Sequence, residues 1–462
     1  MPRHAQPPDC AIEPSPIRAM AARLPTVQNP GMATASAHVL FDAGARKSPP
    51  TPRRVAIAAM IGTTIEWYDF YIYGTTAVLV LGPLFFPTHD PLTGSLLAFS
   101  TFGVGFLVRP VGAVVLAHLG DRYGRKHSLV FSLLLMGVAT LAVGLLPTYA
   151  QVGVWAPLML VLLRCAQGFA VGGEWGGAVL LAIEHAPPQR RAWYGSFPQY
   201  GTPLGLAGSS LAILTAQQLS GDAFLTWGWR LPFLFSAVLV LVGLWVRLRV
   251  SEAEEFLQAK GAGSTVRYPL HLVVRRHWRA VGVGVAVTLV CHAAYIITTF
   301  LPAYATTRLE VPSTWSLMGL VGASALGVGV LAAIGRRADR VDRRRYASAG
   351  AILTALWAFP AFALTAAFGG PGLIIGMAGS LAGLMLQFAV LPSLLAEHFP
   401  VQIRYTGVSA CFQLSAVLGG GLLPISASWL VGRSGGEYWP AAALLVAAGA
   451  VTVIGATRSH TA

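Results

Sequence analysis

Charged residues are scarce in this sequence. Only 11% of its 462 residues are Asp, Glu, Lys or Arg, whereas apolar residues make up 55%. Soluble domains usually carry about a quarter charged residues, and disordered chains combine low hydrophobicity with high charge. The composition therefore excludes a soluble enzyme and a disordered chain, and it indicates a protein that crosses a membrane several times.

Cysteine is also scarce, and it follows no metal-binding or disulfide pattern. The four cysteines lie far apart, without a CxxC spacing, at Cys10, Cys165, Cys291 and Cys411. The sequence also has no Walker phosphate-binding loop and no recognisable arrangement of a nucleophile with a base. We therefore expect a protein that is not an enzyme, not an ATP-driven pump, and without a metal or cofactor.

Acidic residues are fewer than basic ones, with 18 Asp and Glu against 32 Lys and Arg. In a soluble protein such an excess would suggest nucleic acid. In a membrane protein it indicates that the basic loops face the cytoplasm. If both termini lie in the cytoplasm, nearly all Lys and Arg outside the apolar segments fall on the cytoplasmic side. This count includes Arg247, near the end of the sixth segment, and the exceptions are Arg230, Arg308 and Arg433. We expect no nucleic-acid partner.

Twelve long apolar segments follow one another from Val55 onward. Each is about the length that crosses roughly 30 Å of hydrocarbon. The predicted spans are residues 55–82, 94–119, 128–147, 155–184, 194–217, 230–249, 280–305, 314–335, 347–368, 371–396, 406–431 and 438–457. The predicted fold class is therefore an all-α polytopic membrane protein with twelve transmembrane helices.

The longest connection divides these segments six and six. The predicted parts are a disordered cytoplasmic tail (1–54), a first six-helix bundle (55–249), a cytoplasmic central loop (250–279), a second six-helix bundle (280–457) and a cytoplasmic C-terminus (458–462). Nothing before Met32 is predicted to be structured, so Met32 is an alternative to Met1 as the true start.

Two motifs occur once in each half. Asp-Arg-Tyr-Gly-Arg-Lys at 121–126 follows the second span, and Asp-Arg-Val-Asp-Arg-Arg at 339–344 follows the eighth. Glu-His-Ala-Pro at 184–187 likewise parallels Glu-His-Phe-Pro at 397–400. Because both motifs recur at nearly the same spacing, they indicate duplicated six-helix halves.

The charged loop motif predicts a cytoplasmic gate. Its acid and its arginines can bind each other and the ends of neighbouring helices, and a glycine allows a tight turn. A basic loop with no mechanical role is the alternative. The candidate gate residues are Asp121, Arg122, Gly124, Arg125, Asp339, Arg340 and Arg343.

Five charged residues lie well inside the predicted spans of the first half, away from the span ends, where each is costly and is a functional candidate by default. They are Glu66, Asp69, Arg109, Arg164 and Glu174. We expect Arg109 and Glu174 to pair. Three acids against two bases leave one carboxyl over, which is the residue type that proton coupling needs.

The spacing of these residues refines the prediction. Glu66 and Asp69 are three positions apart and share a helix face. Glu66 and Arg164 lie at similar depths, roughly 16 and 13 Å from their helix ends at 1.5 Å per residue, and Gln167 extends the Arg164 face. We therefore expect Arg164 to hold an anionic substrate group while Glu66 or Asp69 carries the proton. A permanent salt-bridge network is the alternative.

Polar residues in the second half are weaker candidates. His292 lies within the seventh span near Tyr295 and is a candidate for proton or substrate contact, although a hydrogen-bonded structural histidine fits equally well. Gln387 and Gln413 are of the same kind.

Glycines of the fourth span, at positions 168, 172, 173, 176 and 177, predict close helix packing. Pro198, Pro203 and the run from Gly419 to Pro424 are either flexible points or static packing positions.

The chain resembles the major facilitator superfamily, and within it the metabolite:H+ symporter family. The resemblance covers residues 55–457. The loop Gly120–Lys126 and its second-half copy carry the likeness to the superfamily. Four further stretches carry the likeness to the narrower family: Gly-Thr-Thr-Ile-Glu-Trp-Tyr-Asp-Phe-Tyr at 62–71; Arg109-Pro110-x-Gly112; Arg164-x-x-Gln167-Gly168-x-x-x-Gly172-Gly173-Glu174; and Phe399-Pro400-x-x-x-Arg404-Tyr405-Thr406-Gly407. The loop motifs depart from the family pattern at Ala117, Arg337 and Asp342.

The resemblance implies two pseudo-symmetric six-helix bundles with the substrate site between them. It also implies uptake driven by the proton gradient across a bacterial inner membrane, of substrates such as shikimate, α-ketoglutarate, citrate, proline or betaine. We therefore predict a monomeric proton-coupled symporter of a small organic anion, with the substrate, H+ and the lipid bilayer as its partners.

Two alternatives remain. One is a facilitator or a proton antiporter that exports a neutral or zwitterionic solute. The other is a membrane sensor of this fold, for which the tail (1–54) and the central loop (250–279) are poor signalling domains.

Overall fold

The computed structural model describes residues 51–87, 91–123, 125–249 and 269–459, and this part of the chain contains no strand. Twelve long helical stretches follow one another. They are α1 (52–85), α2 (Pro91–Tyr123), α3 (Arg125–Leu145), α4 (Trp155–Glu184), α5 (Gly201–Ser220), α6 (Arg230–Leu248), α7 (Trp278–Arg308), α8 (Ser313–Gly335), α9 (Arg343–Phe368), α10 (Gly370–Ala396), α11 (Val401–Arg433) and α12 (Trp439–Arg458). The predicted fold of twelve helices is thereby confirmed, while residues 1–50 and 250–268 of the predicted tail and central loop lie outside the described ranges.

Ten of these helices are long and apolar enough to cross a membrane. The other two, α1 and α5, pack against each other and bury polar side chains. In α1 these are Thr63, Glu66, Asp69 and Thr76, and in α5 they are Thr202, Ser209 and Ser210. Their lower hydropathy therefore reflects polar groups that face other helices rather than lipid.

The helices form two lobes of six. In the first lobe α2 and α3 pack against α4, α1 packs against α5, and α3 packs against α6. The second lobe repeats this arrangement, with α8 and α9 against α10, α7 against α11, and α9 against α12. The lobes meet through α2 and α4 against α11, and through α5 against α8. The interface between the lobes is thus formed by α2, α4 and α5 from the first lobe and by α8 and α11 from the second.

The two halves share local irregularities as well as helix order. A π-helical turn interrupts α1 at Ala77–Leu81 and α7 at Ile296–Phe300, which are matching helices of the repeat. His185 Nδ1 lies 2.9 Å from the Leu181 carbonyl, and His398 Nδ1 lies 2.7 Å from the Leu394 carbonyl. These repeated details support a duplicated origin, and π turns of this kind often lie at functional sites.

The start of α5 differs from the prediction. The predicted span began at residue 194, but α5 begins at Gly201, after a short helix at Arg191–Gly195 and a 3-10 turn at Phe197–Tyr200. Pro198 lies in the first turn of that 3-10 segment, where a missing N–H is tolerated. The connection between α4 and α5 is therefore a folded element rather than part of a span.

Candidate functional site

Four charged side chains are buried between α1, α2 and α4. Glu66 is 6% exposed, and Asp69, Arg109 and Arg164 are each 1% exposed. Charges at this depth are costly unless they are compensated. The structure thus brings together four of the residues that sequence analysis selected.

Arg109 lies among aromatic rings. Its guanidinium carbon is 4.4 Å from the Phe70 ring centroid and 4.3 Å from that of Phe106, distances at which a cation and a π face attract each other. None of its three side-chain nitrogens forms a hydrogen bond of good geometry among the described residues, although the Tyr295 hydroxyl lies close enough to interact with the guanidinium. Arg109 is therefore held in place by rings while its donors remain available.

Arg164 shares the same ring from α4. Its guanidinium carbon lies 5.3 Å from the Phe70 centroid and 3.9 Å from the Tyr73 centroid. Its Nη1 donates to Gln167 Oε1 at 2.8 Å, and Gln167 Nε2 donates to Thr140 Oγ1 at 2.9 Å. The predicted Arg164–Gln167 face is thus a hydrogen-bonded chain from α4 to α3.

The two carboxyls of α1 lie outside any ion pair among the described residues. Asp69 Oδ1 accepts a 2.5 Å hydrogen bond from the Ser236 hydroxyl of α6, and Thr140 of α3 is also within reach of the Asp69 carboxyl. Within the described part of the chain, Asp69 Oδ2 and Glu66 Oε2 form no hydrogen bond of good geometry, although Arg109 and Arg247 are within electrostatic range of Glu66. Both carboxyls are therefore suited to bind and release a proton.

Glu174 does not pair with Arg109, which corrects the expectation from the sequence. It forms an ion pair with Arg247 of α6 and accepts a hydrogen bond from Ser132 of α3. Arg247 is only 7% exposed and also donates to the Leu129 carbonyl. It is therefore a buried residue of the first lobe, not the loop residue that counting assumed.

The charge count of the first lobe changes as a result. The three acids selected from the sequence face three buried arginines instead of two, because Arg247 joins Arg109 and Arg164. The count of selected residues therefore no longer leaves one carboxyl over. Because Arg247 neutralises Glu174, two carboxyls and two arginines remain in the shared site of α1, α2 and α4.

His292 lies in a row of rings that crosses between the lobes. Its Nδ1 is 3.1 Å from the Ser415 hydroxyl, and its Nε2 has no partner. The ring packs edge-on against Phe412 at 4.5 Å, and Phe412 stacks on Trp175 of α4 at 3.7 Å. His292 is thus positioned at the lobe interface rather than in the four-charge site.

Tyr295 connects the second lobe to that site. Its ring centroid lies 5.7 Å from Phe70, 6.1 Å from Tyr71 and 5.4 Å from Phe106. Sequence analysis used Tyr295 only as a neighbour of His292. The sequence signal for Tyr295 is its position three residues after His292 within an apolar span.

The two glutamines differ in role. Gln387 donates to the Val287 carbonyl and accepts from the Cys291 thiol, both within the second lobe. Gln413 Nε2 donates across the interface to the Gly172 carbonyl at 3.0 Å. Gln413 therefore joins the lobes, whereas Gln387 holds α7 against α10.

The predicted glycine packing is present in α4. A Cβ at Gly168 would overlap the Gly105 carbonyl, and one at Gly172 would overlap the Arg109 carbonyl. Gly176 and Gly177 instead face Ser409 and Tyr405 of α11. Gly168 and Gly172 thus allow α2 and α4 to pack closely, which places Arg109 near Arg164. Gly176 and Gly177 allow α4 to pack closely against α11 of the other lobe.

The lobes are in contact at the end where α1 begins and α12 ends, which we call the basic end. Asp339 accepts hydrogen bonds from the Ala192 N–H at 2.7 Å and the Trp193 N–H at 3.0 Å, across the lobe interface. The Tyr405 hydroxyl donates to the Gly173 carbonyl at 2.6 Å. The basic end is therefore closed in this conformation.

Some of the other gate candidates form contacts within their own lobe or are exposed, and the rest lie outside the described residues. Arg343 forms an ion pair with Glu397 of α10, and Arg340 is exposed. Asp342, which departs from the family pattern, accepts from the Arg344 N–H at the start of α9. Gly124 and the side chains of Asp121, Arg122 and Arg125 lie outside the described residues.

His398 lies at the same end, between α10 and α11. Its Nε2 is 2.8 Å from the Ser459 hydroxyl that follows α12. Burial lowers the pKa of His398 below its usual value, and the Leu394 carbonyl partly offsets this shift. The ring therefore stays neutral at pH 7 and acts as a hydrogen-bonding link to the end of α12.

Comparisons with known proteins agree with this architecture. The sequence pattern of the Major Facilitator Superfamily matches residues 57–400. The chain is 42% identical over 390 residues to the inner membrane metabolite transport protein YhjE of Escherichia coli (strain K12), which covers 82% of this chain and 87% of that protein. It is 40% identical to the shikimate transporter of the same organism, over 86% of this chain and 91% of that one.

More distant similar proteins are named for other substrates. The proline/betaine transporter of Salmonella typhimurium (strain LT2) is 33% identical, over 89% of this chain and 84% of its own length. The solved structure of the proton:xylose symporter XylE superimposes with a TM-score of 0.72 at 17% identity, covering 88% of this chain and 94% of that one. At that identity the likeness concerns the fold.

Proposed function

Because the chain belongs to the major facilitator superfamily, and is thus a membrane transporter and not an enzyme, we propose that it takes up a small organic anion together with protons. The driving force is the proton gradient across a bacterial inner membrane, with no bound cofactor. Both termini lie in the cytoplasm, as the arginine-rich connections favour. Each chain has its own site between its own two lobes, so the monomer is the transporting unit.

The buried guanidinium of Arg109 is the observation that carries this proposal. Its nitrogens are buried and form no hydrogen bond of good geometry among the described residues, with only the neutral Tyr295 hydroxyl recorded nearby as a side-chain partner, and a buried charge without a counter-ion is costly. Arg164 lies on the same Phe70 ring. A substrate carboxylate between the two arginines would satisfy these donors in the bidentate geometry that guanidinium groups favour.

Charge neutrality then links the anion to a proton. Two arginines and two carboxylates sum to zero in the empty site, and a bound monoanion would leave a net negative charge away from water. Protonation of Glu66 or Asp69 restores neutrality, so the anion and the proton are favoured together. Asp69 is bonded to α6 through Ser236, and its protonation would weaken that bond as the lobes move.

A zwitterionic substrate such as betaine fits this site less well. A quaternary ammonium group is usually held by open aromatic faces. In this chain the Arg109 and Arg164 guanidinium groups lie over the Phe70, Phe106 and Tyr73 rings. Export or facilitated diffusion of a neutral solute would bring no carboxylate to the Arg109 donors.

A proteoliposome uptake screen tests the proposal. Purified protein is reconstituted and offered shikimate, dicarboxylates, tricarboxylates and betaine, with and without an inward proton gradient. We expect uphill uptake of a carboxylate that a protonophore abolishes. Gradient-independent transport of betaine alone would overturn the proposal.

Variants separate binding from coupling. Arg109→Gln and Arg164→Gln are expected to raise KM about thirty-fold or more, on the order of 2 kcal/mol for a buried charge pair. Asp69→Asn is expected to retain substrate exchange but to lose uphill accumulation. Arg433→Gln, which alters an exposed arginine at the end of α11, is the matched control and should behave as wild type. Normal coupling in both Asp69→Asn and Arg164→Gln would contradict the proposed roles.

A further inference from the structure

An apolar cavity of about 290 Å³ lies where α2 of the first lobe meets α11 of the second. It is lined from these helices by Pro110, Ala113, Val114, Thr406, Ala410 and Leu414. A short helix at Pro269–Arg276 and the first turns of α7 complete its wall. The cavity is separate from the four-charge site and no step proposed above uses it.

The short helix Pro269–Arg276 is amphipathic. Leu270, Val273 and Val274 follow the spacing of one helix face and line the cavity. Val273 is buried, but Val274 is 60% exposed and Trp278, at the start of α7, is 61% exposed. Exposed apolar side chains beside a membrane helix are expected to be covered by lipid, as in helices that lie in the membrane interface.

The polar side of this segment is basic. Arg275, Arg276 and Arg279 are all exposed, and residues 269–281 contain no Asp or Glu. The Arg279 guanidinium carbon lies 5.4 Å from the Trp278 ring centroid. Tryptophan and arginine together are typical of the level at which lipid headgroups lie, and basic clusters there attract anionic lipids.

We propose that this cavity binds an acyl chain of an anionic phospholipid whose headgroup lies against Arg275 and Arg276. Charge complementarity selects the anionic lipid, because a zwitterionic headgroup brings a cation toward the same arginines. Since α2 and α11 belong to different lobes, the bound lipid bridges them. It therefore stabilises the conformation in which the basic end is closed.

Fluorescence quenching tests this site without reference to transport. The full chain is reconstituted in vesicles that contain brominated phosphatidylglycerol or brominated phosphatidylcholine, and quenching in Trp278→Phe is subtracted to isolate the Trp278 signal. We expect phosphatidylglycerol to bind preferentially. Each arginine contributes roughly a five-fold preference, so Arg275→Gln with Arg276→Gln should lower the preference about 25-fold.

Two further variants make the result specific. Arg336→Gln with Arg337→Gln removes the same charge from two exposed arginines outside the cavity, and the preference should remain. Ala410→Leu narrows the cavity without changing charge, and Trp278 quenching by both lipids should fall. Equal quenching of the wild type by the two lipids would overturn the proposal, as would loss of the preference in the Arg336/Arg337 control.

Discussion

Arg247 shows how much one residue changes the electrostatics of the first lobe. It lies in the last turn of α6, is buried, and pairs with Glu174. Its guanidinium also packs against Gly62, where a Cβ would lie 3.0 Å from its Nε, one helical turn before Glu66. The Glu174–Arg247 pair therefore holds α4, α6 and α1 together and leaves Arg109 without an acidic partner of its own.

Removal of Arg247 is expected to destabilise the protein strongly. In Arg247→Met, Glu174 remains as an uncompensated buried charge, which costs about 3–5 kcal/mol. The double variant Arg247→Met with Glu174→Gln removes both charges and should recover most of that loss. Unfolding midpoints in a mild detergent measure the effect.

An exposed ion pair provides the control for this prediction. Arg345 and Asp342 pair at 3.3 Å near the start of α9, and Arg345→Met should cost less than about 1 kcal/mol. A double variant no more stable than Arg247→Met alone would contradict the assigned pairing.

At the scale of helices, glycine contacts set the distance between α2 and α4. The backbones approach so closely that Gly168 and Gly172 have no room for a side chain. Because Arg109 and Arg164 project from these two helices, their separation depends on this packing. The candidate site thus rests on backbone contact as much as on charge.

Alanine substitutions test this packing. Gly168→Ala and Gly172→Ala force a Cβ into the backbone of α2, and overpacking of this kind costs about 1–3 kcal/mol. Gly282→Ala in α7 meets no atom within 4 Å and is the matched control, with a gain of roughly 0.5–1 kcal/mol expected from helix propensity. Thermal unfolding of the three purified variants measures the difference. Similar stability at all three positions would show that the approach of α2 and α4 is not limiting.

Helix positions were predictable from sequence because crossing a bilayer requires a long apolar run. Structural details that depend on contacts with neighbouring helices were not predictable from sequence. The sequence of α5 and the segment before it reads as one apolar run, and packing of that segment mainly against α1 and α4 distinguishes them. The π turns at Ala77–Leu81 and Ile296–Phe300 also left no recognisable signal.

The candidate site was predictable in its members but not in its pairing. Charge within a span selected Glu66, Asp69, Arg109 and Arg164, and all four are close together. The positive-inside rule placed Arg247 in a loop because it lies near a helix end, where burial depends on tertiary contacts. The stack of Trp175 on Phe412 joins residues far apart in the sequence, so spacing could not reveal it.

At the scale of the whole molecule, Asp339 joins the two lobes at the basic end. Its carboxylate accepts from two backbone N–H groups of the opposite lobe. Asp342, three residues later, accepts only from the start of its own helix. Neighbouring acids in one connection thus have different roles, one between lobes and one within a lobe.

Loss of the Asp339 bonds is expected to open the basic end more often. In Asp339→Ala the N–H groups of Ala192 and Trp193 lose their acceptor. Ser196 is fully buried in the closed conformation, so a cysteine introduced there as Ser196→Cys should react faster with a membrane-impermeant maleimide when the basic end opens more often. The measurement uses a chain whose native cysteines have been replaced. Asp342→Ala is the matched control and should leave the labelling rate unchanged. Equal acceleration by both variants would contradict a specific role for Asp339.

The seal between α4 and α11 has a further consequence. Gly176 and Gly177 lie directly against Ser409 and Tyr405, and Trp175 is stacked on Phe412. When the basic end opens, these surfaces separate and water fills the gap, so the open conformation holds more water than the closed one. Solutes that are excluded from protein surfaces favour the conformation with less exposed surface. We therefore expect the equilibrium between conformations to shift with water activity, toward the closed basic end as osmotic pressure rises.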